Sequence, residues 1–186
     1  MRRWLLPALM ITLLLTGCGD AAPERKLEEL RETLRTAEEI RVAADLNANI
    51  GSEVFSCALE CTADDERITV CLTAPETIAG ICAVVDADGT KLEYGEVSLG
   101  VGGGAETPAP VTAIPLLLNA LRSGSTLRSW TEREGEQTLY VREFFVTDDC
   151  TLTVWLDAAS LLPVHAEFLS GGAAVLRCEI REFSYK

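Results

Sequence analysis

Histidine occurs once in the 186 residues, at His165, and that scarcity removes most acid-base and nucleophilic chemistry. A catalytic histidine needs a nucleophile and an orienting acid in reach, yet no Gly-x-Ser-x-Gly elbow is present and Ser123 and Ser125 only flank a helix end. His165 therefore reads as a polar strand residue facing solvent. Basic residues are few as well: 16 Lys+Arg against 29 Asp+Glu leave a formal net charge of -13. Nucleic-acid phosphates need Lys and Arg, so no nucleic-acid partner is expected. No C-x2-C pair exists to build a zinc site, and Gly102-Gly103-Gly104 lacks the Lys-Ser or Lys-Thr of a phosphate loop. The paired carboxylates Asp64-Asp65, Asp86/Asp88 and Asp148-Asp149 fall at turn positions, where Asp is favoured for backbone reasons. Neither a metal nor an enzymatic activity is expected. Nor is there a transmembrane run, since the apolar stretch Trp4 to Leu15 covers about twelve residues where a span needs roughly 20.

What that stretch does carry is an address. Arg2 and Arg3 precede it, only Pro7 and Thr12 interrupt it, and small residues follow, which together read as an export signal. Leu15-Thr16-Gly17-Cys18 resembles the lipobox of bacterial lipoproteins. The resemblance implies a diacylglycerol thioether on Cys18 as the sole covalent group, with cleavage just before it. Two acyl chains suffice for stable anchoring where one does not. Residues 1–17 are thus expected to be a signal peptide and residues 18–23 a lipidated tether reaching less than about 20 Å. Residues 24–186 would form one domain held outside the cytoplasm against the cell membrane. Loss of Arg2 and Arg3 takes the formal charge from -13 to -15, so the lipid, not charge, must do the holding.

Six cysteines remain: Cys57, Cys61, Cys71, Cys82, Cys150 and Cys178. They allow about 15 pairings. Cys57-Cys61 is disfavoured, because four residues of what reads as a strand separate their α-carbons by roughly 13 Å against a limit near 7 Å. All six as small buried thiols is the competing expectation.

Periodicity places the elements. Leu27, Leu30, Leu34 and Ala37 form one apolar stripe, which predicts a helix over 24–38. Alternation then predicts strands at 39–48, 53–62 and 66–74. Phe55, Cys57, Leu59 and Cys61 share one face with Ile68, Val70 and Leu72, whereas Cys71 points the other way, which argues against a Cys57-Cys71 bridge. Residues 75–80 read as a single helical turn. Strands follow at 81–85, 91–94 and 96–99, with Asp86-Ala87-Asp88-Gly89 as a hairpin signal. Residues 100–110, rich in Gly and Pro, are expected to be a loop. Ile114, Leu117, Leu118 and Leu121 predict a second helix with Thr112 as its cap, Pro115 in its first turn and Gly124 at its end. Strands at 127–133, 136–147, 150–156, 163–169 and 174–185 complete the chain. The expected class is α+β: a curved antiparallel sheet of about 10–11 strands, an unclosed half-barrel wrapped over two or three helices.

That order, with Pro75-Glu76-Thr77-Ile78-Ala79-Gly80-Ile81, Asp88-Gly89 before Leu92 and Tyr94, Trp155-Leu156-Asp157, Leu162-Pro163, Ala166-Glu167 and the closing strand from Val175 to Tyr185, resembles the LolA and LolB lipoprotein-localisation fold. It is most similar to the lipid-anchored, GerS-like germination lipoproteins of spore-forming Gram-positive bacteria. The resemblance implies a hollow that holds acyl chains in carriers and is filled by side chains in partner-binding members. Two expectations follow. The first is a non-catalytic module binding a protein partner, with a cationic face suited to the chain's charge, such as a cell-wall enzyme in sporulation or germination. The alternative is a carrier or acceptor of lipids or lipoproteins, with Leu27, Leu30, Leu34, Phe55, Leu59, Trp130, Trp155 and Phe168 as candidate cavity walls. Open sheet edges also make a homodimer an expectation.

Overall fold

The computed structural model describes residues 21–50, 53–101 and 108–186. Cys18 and the signal stretch lie outside them, as do Gly51-Ser52 and the glycine run at 102–104. The chain runs α1 (Ala21–Thr36), β1 (Ile40–Ile50), β2 (Glu53–Ala63), β3 (Ile68–Ala74), β4 (Cys82–Asp86), β5 (Gly89–Tyr94), β6 (Val97–Val101), α2 (Pro110–Ser123), β7 (Thr126–Glu134), β8 (Gln137–Thr147), β9 (Cys150–Asp157), β10 (Pro163–Ser170) and β11 (Ala173–Tyr185). All pairings are antiparallel, in one 11-stranded sheet of order β6-β5-β4-β3-β2-β1-β11-β10-β9-β8-β7. Among the described residues β6 and β7 do not meet, so the curved sheet is an unclosed half-barrel, as expected.

The two ends of the domain meet at its centre. β1 pairs with β11 from Ile40↔Tyr185 to Ala48↔Leu176, so each half is a meander that starts or ends at that seam. A register shift at Ala43/Ala44 marks a bulge there, which deepens the local twist. The backbone of Lys186 exchanges hydrogen bonds with Glu38 and Glu39, tying off the terminus.

Helix α1 starts three residues earlier than expected and stops two earlier. Pro23 is tolerated because a first-turn residue needs no amide donor, so 21–23 belong to the helix rather than to a tether. Its stripe of Leu27, Leu30 and Leu34 is fully buried against α2 and the sheet. Helix α2 is buried along Ala113, Ile114, Leu117, Leu118 and Leu121. Its N-cap is Ala109, not Thr112. Thr112 sits one turn in, where its hydroxyl accepts from the Ala109 amide at 3.0 Å and so satisfies the helix start from inside. The helices are stitched by guanidinium-to-carbonyl bonds: Arg31 to Gly124 at 2.7 Å, Arg35 to Arg122 at 2.9 Å and Arg122 to Leu34 at 3.0 Å. Arginines near helix C-termini fit the carbonyl-rich end of each dipole.

Residues 75–80 form the expected single turn, with Ala79 N–H donating to the Pro75 carbonyl at 3.1 Å. One disulfide joins Cys71 and Cys82, directly opposed on β3 and β4. Val70 and Ala83 face the helices, so the bridge lies on the outer face. Cys57, Cys61, Cys150 and Cys178 are free and buried, and the two expectations for the cysteines are each met in part. Burial pushes the Cys61 thiol up to about 12 and raises Cys57, Cys150 and Cys178 as well.

Candidate functional site

Strand alternation sorts the nominated cavity residues. Leu27, Leu30, Leu34, Leu59 and Phe168 are buried within the core between helices and sheet, and Phe55 packs half-buried against it. They belong to one buried cluster that fills the hollow between the helices and the sheet. Trp130 and Trp155 do not line it, which corrects their nomination. Val154 and Leu156 face the helices, so Trp155 between them projects outward, and the register Trp130↔Val141↔Trp155 puts Trp130 on the same outer face.

There the two indoles build a second, small packing layer. Leu139 and Val141 are buried on the outer face, flanked across the strands by Glu132 and Asp157, and by Trp130 and Trp155. Both indole N–H groups donate to one carboxylate, Trp130 to Glu132 at 2.6 Å and Trp155 at 2.9 Å, and those bonds, Trp130 first, hold Glu132 below the usual carboxylate range. Next in the row, Trp155 meets His165 edge-on at 5.2 Å, and His165 Nδ1 lies 3.0 Å from Glu179. His165 is therefore a half-buried outer-face residue with no nucleophile beside it. A neighbouring row pairs Arg128 with Glu143 and Arg177 with Glu167. The charged groups Glu132, Glu143, Glu167, Arg128 and Arg177 in this layer are each paired within it, which suits a scaffold.

The turns between β2 and β3 and between β4 and β5 border an acidic cleft of about 730 Å³ lined by Asp64, Asp65, Glu66, Arg67, Asp86 and Asp88. Asp64 spends its carboxylate on the amides of Glu66 and Arg67, which lowers its pKa. These are turn-forming carboxylates, and among the described residues no group of three His, Cys, Asp or Glu converges on a metal position.

One apolar surface has no cover among the described residues. Register places Val70, Ala83, Leu92 and Leu99 side by side from β3 to β6, with Tyr94 opposite Val97 in the next row. All face the side that carries the helices. Helix α2 packs on β3 and β4, and burial decays beyond it: Val70 and Ala83 are sealed, Leu92 is half-buried, and Leu99, Tyr94 and Val97 are 63%, 60% and 57% exposed. Isolated exposed apolar residues are ordinary, but a contiguous patch marks a binding surface. Around it Glu93 and Glu96 are exposed, and Lys91 is engaged by Asp86 at 3.5 Å and Asp88 at 4.0 Å. Sequence reasoning missed this wing. Its signal was Leu92-x-Tyr94 and Val97-x-Leu99 across a tight turn, with no later strand to pair β6.

Comparison with solved structures decides the fold. Over 87% of this chain and 91% of the other, it superposes on an outer membrane lipoprotein-sorting protein domain from Vibrio parahaemolyticus with a TM-score of 0.52 at 10% identity. The chain has a LolA-like fold. Two further solved structures superpose on the chain at 10% identity: a DUF1329 family protein from Desulfovibrio piger, with a TM-score of 0.54 over 87% of this chain and 91% of that one, and an uncharacterized conserved protein from Thermus thermophilus, with a TM-score of 0.54 over 88% of each. No protein-family model and no curated protein matches the sequence.

Proposed function

We propose that this LolA-like chain is an extracytoplasmic, lipid-anchored and non-catalytic acceptor of lipids or acylated protein segments, which it receives on the apolar wing of β5 and β6. The carrying observation is the loss of cover along Val70, Ala83, Leu92 and Leu99, which leaves an apolar shelf beside a filled core. Each methylene laid on such a surface contributes about 0.8 kcal/mol. Covering about six gives at most roughly 5 kcal/mol, part of which the freedom lost on association offsets, so binding on the open shelf is weak, with a dissociation constant on the order of 1 mM. That strength suits transient receipt rather than storage, and a tether at Cys18 keeps the wing near one bilayer. A fluorescent long-chain fatty acid titrated into the chain from Gly19 onward tests it. Leu99→Lys and Val97→Lys, both surface changes, should each weaken binding about tenfold; equal binding by all three chains would refute the assignment.

A second reading rests on the hollow, which Leu27, Leu30, Leu34 and Phe168 fill. A filled hollow suits the partner-binding role implied by the narrower resemblance to germination lipoproteins, with a cell-wall enzyme as partner. Under that reading the fatty acid stays at background in every chain, while the domain captures a purified cell-wall enzyme.

A further inference from the structure

The two ends of the sheet are built differently. β7 carries Arg128, Glu132, Arg133 and Glu134 along nine exposed residues, and charge on an edge strand discourages further pairing. β6 reads Val97-Ser98-Leu99-Gly100-Val101, with no charge and no proline. β5 and β6 are joined by a two-residue turn, Gly95-Glu96, with Gly95 at φ 58° and Tyr94↔Val97 as the closing pair. In such a hairpin the closing pair and every second pair after it exchange backbone hydrogen bonds inward. Val97 and Leu99 therefore bond to β5, while the amides and carbonyls of Ser98 and Gly100 point away from the sheet, with no partner among the described residues.

We propose that the β6 edge accepts an extended peptide as a twelfth strand, and that this peptide alternates apolar with basic residues. The alternation follows from the pleat, because residues of an added strand take the same two faces as β6. Those beside Val97 and Leu99 meet the apolar shelf. Those beside Ser98 face outward, along the row that continues to Glu93, with Glu96 at the turn. Lys91, the nearby cation, is already occupied by Asp86 and Asp88. A second copy of the chain is the poorer occupant, since without Arg2 and Arg3 it brings a further formal charge of -15 against the same acidic surroundings. The peptide shares the apolar shelf with the acyl-binding reading and adds the backbone of its rim, which a lipid does not use, so loss of an outward amide separates the two.

The test titrates the chain from Gly19 onward with a synthetic, end-blocked peptide alternating lysine with valine, and with a counterpart in which glutamate replaces lysine. Amide exchange is read by NMR. The expected result is binding of the lysine peptide alone, slowing exchange at Ser98 and Gly100 but not along β7. Ser98→Pro removes an outward amide while sparing the bonds to β5, as proline on an edge strand can, and should weaken binding about tenfold or more with fatty-acid binding unchanged. Gly100→Pro serves if Ser98→Pro does not fold. Equal binding of the glutamate peptide, unchanged exchange at Ser98 and Gly100, or a β6-paired dimer of the chain alone that Ser98→Pro dissociates would each overturn the proposal.

Discussion

Removing the carboxylate of Glu24 isolates Arg142, the one buried charge on the helix-facing side of the sheet among the described residues. Arg142 on β8 is only 3% exposed, and its Nη1 donates to Glu24 of α1, which is 62% exposed. That contact pins the start of α1 across β7 and β8, with Ser129 adding a weaker bond at 3.3 Å. Stripping the partner from a fully buried ion costs about 3–5 kcal/mol, whereas a charge-assisted hydrogen bond open to water is worth about 1.5–3 kcal/mol. Because Glu24 is exposed, water can enter once its charge is gone, so Glu24→Gln should cost about 2 kcal/mol. At a urea slope near 2 kcal/mol/M that moves the midpoint down by about 1 M. Arg142→Met removes the guanidinium and its desolvation together, so Glu24→Gln on that background should cost almost nothing, and the double-mutant cycle should return most of the 2 kcal/mol as coupling. The Arg142 hydrogen bond lowers the Glu24 pKa from 4.5. A depressed acid stabilises the fold above its unfolded value and ceases to as pH falls through its folded value, so the gap between wild type and Glu24→Gln should close below about pH 4.5. A gap under 0.5 kcal/mol at pH 7, or zero coupling, would refute this account of how α1 is held.

Three further outcomes follow from the same geometry. The thiols of Cys57, Cys61, Cys150 and Cys178 are buried and have raised pKa values, so Ellman's reagent at pH 8 should find none of them in the native chain from Gly19 onward and all four in guanidinium. Replacing Cys71 and Cys82 by serine opens a cross-link spanning 11 residues, and the chain-entropy relation predicts a loss of about 3 kcal/mol in chemical denaturation. Asp157 accepts bonds from Ser160, Gln137 and Ala159, which hold its pKa at about 2; its stabilising effect is present above 3.8 and lost as pH falls through about 2. Asp157→Asn should therefore flatten that part of the acid-unfolding curve, and a carboxyl titrating near 4 by NMR would contradict it.

Elements with a strong period were legible in the sequence. The stripe of α1, the alternation of β2 and β3 and the turn at Asp86 to Gly89 fixed the fold class and nearly every strand. What failed was the sidedness of isolated residues. Trp130 and Trp155 read as cavity walls because large aromatics favour interiors, yet the pleat sends them outward, where each indole meets the carboxylate of Glu132 two strands or two residues away. Thr112 read as a cap because its hydroxyl can accept a backbone proton; it does so, but from the first turn of α2 back to Ala109. The wing stayed hidden for a different reason. Exposure of Tyr94, Val97 and Leu99 depends on where α2 stops covering the sheet, a distance that no local pattern encodes.

The measurement closest to the central claim is a methyl and aromatic NMR titration with a long-chain fatty acid. The account predicts shifts at Leu92, Tyr94, Val97 and Leu99, with Leu139, Val141, Trp130 and Trp155 unmoved. Shifts confined to the outer face, or none at millimolar fatty acid, would contradict it.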